Sequence, residues 1–68
     1  MLQDGQIWLN RTSVAKIEKN GKPTCKCIFY RKIKQDLKFV ELVEDTEGAV
    51  ANKLNGYRLA KNRSIIFA

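Results

Sequence analysis

A chain of 68 residues has room for one core and one domain, residues 1–68, and its 13 basic and 7 acidic residues leave a net charge of +6. Histidine is absent, which excludes Ser-His-Asp and Cys-His nucleophilic mechanisms and the usual histidine metal sites. A domain this small buries a modest fraction of its surface, so a disulfide, a structural metal or self-association is the reinforcement to look for.

Gly5 opens a first strand over Gln6 to Asn10, with Ile7 and Leu9 on one face and Trp8 on the other. Ser13 to Glu18 alternates in the same way. "KNGKP" then supplies Asn20-Gly21, a strong hairpin signal, so Ser13–Glu18 is expected to pair antiparallel with Thr24 to about Ile33. "KIKQDLK" is the next reversal, and Lys38 to Glu44, with its "FVELV", the next strand. Asp45-Thr46 suits the cap of a short helix, about residues 46–55, with Glu47 in its first turn, Val50 and Leu54 on one face and Gly56 just past its end. Tyr57 to Leu59 and Ser64 to Phe67 read as extended segments around a turn at Ala60–Arg63. These elements predict a mainly β fold: a small antiparallel sheet or SH3-like barrel of four or five short strands with one short helix. The alternative is a three-stranded meander with the helix packed on one face.

Cys25 and Cys27, one residue apart on a strand, share a face with Cα atoms roughly 6.5–7 Å apart, at or beyond the reach of a disulfide. A structural zinc wants four Cys or His ligands, so two cysteines fill half a site, and a complete one requires a second chain. The reading that needs neither is core packing, with Phe29 and Ile33 continuing the same face. No metal and no cofactor is expected. The four glycines are scattered rather than gathered into a phosphate loop, and the acidic block Glu41, Glu44, Asp45 and Glu47 reads as a solvated rim and a helix start. The chain is expected not to be an enzyme.

Charge is unevenly spread. Between Arg11 and Lys38, nine basic residues (Arg11, Lys16, Lys19, Lys22, Lys26, Arg31, Lys32, Lys34 and Lys38) stand against Glu18 and Asp36, a local +7. Lysines and arginines at this density attract phosphate-rich partners, and an aromatic ring beside them can stack a base. Those nine together with Tyr30 form the candidate nucleic-acid surface, with Trp8, Tyr57 and Arg58 as further contact or stacking residues. A three-residue turn at Lys34-Gln35-Asp36 sets Tyr30 opposite Val40, Ile28 opposite Leu42 and Lys26 opposite Glu44. It also leaves Phe29, Ile33, Leu37, Phe39 and Val43 together on the other face. Both faces then have apolar centres, and Tyr30 is expected half-buried.

Two functions follow. One is a small basic module that binds DNA or RNA through Lys/Arg–phosphate contacts with aromatic stacking. The alternative is a protein-interaction module: a short accessory or inhibitor protein, of the kind phages and mobile elements encode, that docks on a larger machine, either as a monomer or as a homodimer. A continuous basic face with an exposed ring favours the first, and separated basic and acidic patches with exposed apolar surface favour the second. The N-terminus has no basic segment followed by an apolar one, and no apolar run approaches the roughly 20 residues of a membrane span, so a cytoplasmic protein with reduced thiols is expected. "DGQIWLN" followed by "SVAKIEKNG" resembles, over about the first twenty residues, the start of small SH3-like barrels of the KOW kind, without their glycine-rich turn before the second strand. That likeness implies a small barrel and carries no site residues with it.

Overall fold

The computed structural model describes residues 2–61. Five strands and one helix follow in the order β1 (Ile7–Leu9), β2 (Ser13–Glu18), β3 (Thr24–Ile33), β4 (Asp36–Thr46), α1 (Glu47–Lys53) and β5 (Arg58–Leu59). They form one antiparallel sheet with strand order β4-β3-β2-β1-β5, a four-strand meander to which the segment after the helix returns beside β1. The expected mainly β class, with four or five strands and a short helix, is the one observed. Among the described residues β4 and β5 do not pair, so the sheet has two edges there. The expected extended segment over Ser64–Phe67 lies outside the described residues.

Local chemistry explains the reversals. Gly21, with φ 73°, supplies the left-handed backbone that the β2–β3 connection needs. At the β1–β2 connection, Asn10 Oδ1 accepts from the N–H groups of Thr12 (3.0 Å) and Ser13 (2.8 Å), the side-chain mimic of a backbone turn. β4 runs directly into α1. Thr46 is extended (φ −61°, ψ 155°), and its Oγ1 accepts from Ala49 N at 3.2 Å, while Glu47 and Lys53 place matching charges at the two ends of the helix dipole.

The main core lies between one face of the sheet and α1, while Leu9 and Val14, paired across β1 and β2, are buried on the opposite face. Ala15, Ile17, Cys25, Cys27 and Phe29 supply the sheet side, Val50 and Leu54 the helix side, and Leu2 joins them; Trp8, Val43 and Tyr57 pack around the rim. Both cysteines are free and buried in this core, where the expectation of core packing had put them. Burial raises the pKa of both thiols, that of Cys27 to about 11, with the neighbouring Cys25 a smaller contribution. These are packing side chains held in the neutral form.

The β3–β4 hairpin departs from expectation. Its turn is the two residues Lys34-Gln35, with Ile33 opposite Asp36 and Lys34 at φ 57°. The pairing runs regularly to Tyr30 opposite Phe39, then shifts by one residue, so that Phe29 faces Glu41 and Ile28 faces Leu42. Val40 is the extra residue of a β-bulge. The expected pairs Ile28–Leu42 and Lys26–Glu44 are present, but Tyr30 meets Phe39 instead of Val40. A one-residue slip moves side chains to the opposite face, so Phe39 and Leu37 stand on the side away from the helix. Ile33, expected in the core, is 46% exposed, because β2 ends its pairing at Ser13–Arg31 and leaves the hairpin tip uncovered.

Candidate nucleic-acid interface

Strand register determines which basic residues stand together. Antiparallel pairing brings the β1–β2 connection, the end of β3, the start of β4 and the start of β5 to one end of the sheet. Among the described residues Arg11, Arg31, Lys32, Lys34, Lys38 and Arg58 gather there, with Asp36 at the hairpin tip. The opposite end holds Asp4, Glu18, Glu44, Asp45 and Glu47 around Lys19, Lys22 and Lys26. The molecule is therefore polarised along its strands. The basic stretch that looks continuous in sequence divides between two electrostatically different ends.

At the basic end, Arg11, Lys32 and Arg58 line a cleft of about 380 Å³ with Leu9, Asn10 and Gly56. Its walls are tied by the backbone. Lys32 N donates to Thr12 O at 2.8 Å, Asn10 N donates to Ser13 O at 3.0 Å, and Arg58 lies in register with Leu9. Gly56, at φ 88°, turns the chain from α1 into β5 through a conformation that side chains disfavour. Among the described residues no carboxylate lines this cleft. Among the described residues the ion pair that forms is at the other end, Lys19 Nζ to Glu47 Oε1 at 3.6 Å. Three cations from separate parts of the chain thus converge without an anion between them, an arrangement that favours a phosphate or carboxylate ligand.

Beside the cleft, on the face away from the helix, runs the cross-strand row Arg58–Leu9–Val14–Tyr30–Phe39. Tyr30 is half-buried, as expected, and meets Phe39 edge-to-face with ring centroids 6.4 Å apart. Phe39 is 59% exposed and is the ring that reaches solvent. Sequence reasoning missed it as a surface ring by assigning it to the core side. The adjacent apolar pair Phe39-Val40, which breaks strict alternation, was the available signal of a bulge.

The remaining candidates divide. Lys16 stands half-buried in the middle of the same face, between Ile7 and Ile28. Lys26 lies between Glu18 and Glu44 across its two neighbouring strands, and Lys22 is exposed in the β2–β3 connection. Lys19 is engaged in structure: its Nζ donates to Leu2 O at 3.1 Å besides pairing with Glu47. Trp8 does not join Tyr30, whereas Tyr57 lines a cleft of about 320 Å³ with Tyr30, Arg31 and Glu41. Trp8 lies opposite Ala15 on the helix side and bonds Gln6 Oε1 through its Nε1 at 3.3 Å, while Tyr57 packs edge-on to Phe29 at 6.1 Å. Both rings serve the core rim because small sheets use their aromatics there first.

No helix among the described residues is long and apolar enough to cross a membrane. Comparisons of the chain with protein-family models, with curated proteins and with solved structures found no match.

Proposed function

We propose that this protein is a small non-catalytic binding module whose partner is nucleic acid, held at the basic end of the sheet. The observation that carries this reading is the convergence of Arg11, Lys32 and Arg58 on one cleft that no carboxylate lines among the described residues, flanked by Arg31, Lys34 and Lys38. Phosphates meet the cations there, and Phe39, backed by Tyr30, supplies a ring beside them. The acidic opposite end sets the orientation, since it repels the same backbone. Titration of a fluorescently labelled oligonucleotide at low ionic strength tests the reading. Saturable binding, lost on raising the salt, supports it, and absence of binding at low salt ends it.

A second reading draws on one observation. Val40 and Leu42 on β4 are nearly as exposed as Phe39, which suits a protein surface, a second copy included. Under that reading the protein is an accessory or inhibitor protein, of the kind a phage or mobile element encodes, docking on a larger machine in the cytoplasm. Recovery of partners from a native lysate with and without nuclease separates the two: a nuclease-resistant complex favours protein, and a nuclease-sensitive one favours nucleic acid.

A further inference from the structure

We infer that the interface selects an unpaired strand, with one backbone phosphate in the Arg11–Lys32–Arg58 cleft and an unstacked base against the exposed ring of Phe39. The inference rests on the nucleic-acid reading above and adds the class of nucleic acid. Three observations support it. Phe39 has no polar side-chain atom, so it cannot hydrogen-bond the phosphates and base edges a duplex displays, whereas an unpaired base offers a π-face. The ring is held ready, its edge-to-face partner Tyr30 anchored in the middle of the sheet. And Lys32, one of the residues lining the cleft, lies near Phe39 across the β3–β4 hairpin. Lys32 lies two residues beyond Tyr30 on the same face of β3, roughly 6.5–7 Å along the strand, and opposite Leu37, itself two residues before Phe39. A phosphate at Lys32 and a base at Phe39 therefore belong to the same short stretch of strand, which a stacked and paired base cannot reach without leaving its helix.

The test compares oligonucleotides of about 12 nucleotides, within the roughly 4–16 that small β modules cover, as single-stranded DNA, single-stranded RNA and duplex DNA, with polyglutamate as a non-nucleic polyanion. The wild type is expected to bind single strands more tightly than duplex, with the aromatic resonances of Phe39 shifted upfield only by single strands. Phe39→Ala is expected to weaken single-strand binding by about tenfold and duplex binding by less than about twofold. Phe39→Tyr, which keeps a ring, is expected to restore it; Phe39→Ala also loses the edge-to-face contact with Tyr30, so affinities are compared well below its melting temperature. Duplex binding as tight as single-strand binding, with Phe39→Ala affecting neither, would overturn the inference and leave the phosphate-binding reading in place. Polyglutamate binding as tight as any oligonucleotide, or no oligonucleotide binding at all, would overturn both.

Discussion

Tyr30 faces Phe39 across the β3–β4 hairpin, their rings edge-to-face at 6.4 Å, because Val40 is bulged out of the ladder. The bulge puts an aromatic pair on the face that carries Lys32 and Arg58, where a regular ladder would have put Val40. It also interrupts β4, an edge strand among the described residues, and a bulged edge is a poor template for a further strand. Deleting Val40 is expected to leave every other pair in register and the protein folded, while producing a flatter edge. Sedimentation over a range of concentrations should then show self-association that the wild type lacks. Retained monomeric behaviour in a folded deletion variant would mean that the bulge does not guard the edge.

Lys34 occupies the left-handed region at φ 57° in a two-residue turn, a conformation that costs a side-chain-bearing residue about 1–2 kcal/mol. Lys34→Gly is expected to stabilise the fold by about 0.5–1 kcal/mol once the greater entropy of unfolded glycine is subtracted. Urea denaturation with an unchanged slope and a raised midpoint would show it.

Glu47 joins three segments. Its Oε1 accepts from Leu2 N at 2.6 Å and pairs with Lys19 Nζ at 3.6 Å, and its charge sits in the first turn of α1. Glu47→Ala is expected to destabilise by about 1–2 kcal/mol, the sum of a partly buried charged hydrogen bond and a helix-end charge. The replacement leaves the basic end untouched, so oligonucleotide affinity measured well below the melting temperature should not change.

Cys27 links stability to pH. Its thiol pKa is raised from 9.0 to about 11 by burial, so the folded state holds a proton that the unfolded state releases. The contribution is complete below about pH 9 and is lost as pH rises toward 11, at a slope of at most about 1.4 kcal/mol per pH unit. Cys27→Ala should flatten that slope in denaturation experiments between pH 8.5 and 10.5, while lowering stability at pH 7 through lost packing. An equally steep slope in the variant would assign the effect to other groups.

Much of the fold was legible because its local signals have a single structural answer. Asn20-Gly21 needs a left-handed turn, Thr46 with Glu47 needs a helix start, and the alternation from Cys25 to Phe29 needs one buried face. The bulge was not legible in the same way. A three-residue turn and a two-residue turn followed by one extra residue give identical pairs from Phe29 to Lys26, and differ in where Leu37, Lys38 and Phe39 point. The site suffered from a related ambiguity. Lys19, Lys22 and Lys26 look like Arg31, Lys32 and Lys34 in a linear count, and strand direction alone sends the first group to the acidic end. Arg58 reaches the cleft only because β5 returns beside β1, a long-range pairing that no local pattern encodes.

The most direct measurement is the salt dependence of oligonucleotide affinity in two charge variants of equal size. Replacing Arg11, Lys32 and Arg58 with alanine is expected to weaken binding strongly and to reduce the slope of log affinity against log salt by about 0.7, the value for one phosphate contact removed on a single strand. Replacing Lys16, Lys22 and Lys26 removes the same charge from outside the basic end and is expected to leave the slope nearly unchanged. Equal losses in the two variants would contradict a site at the Arg11–Lys32–Arg58 cleft.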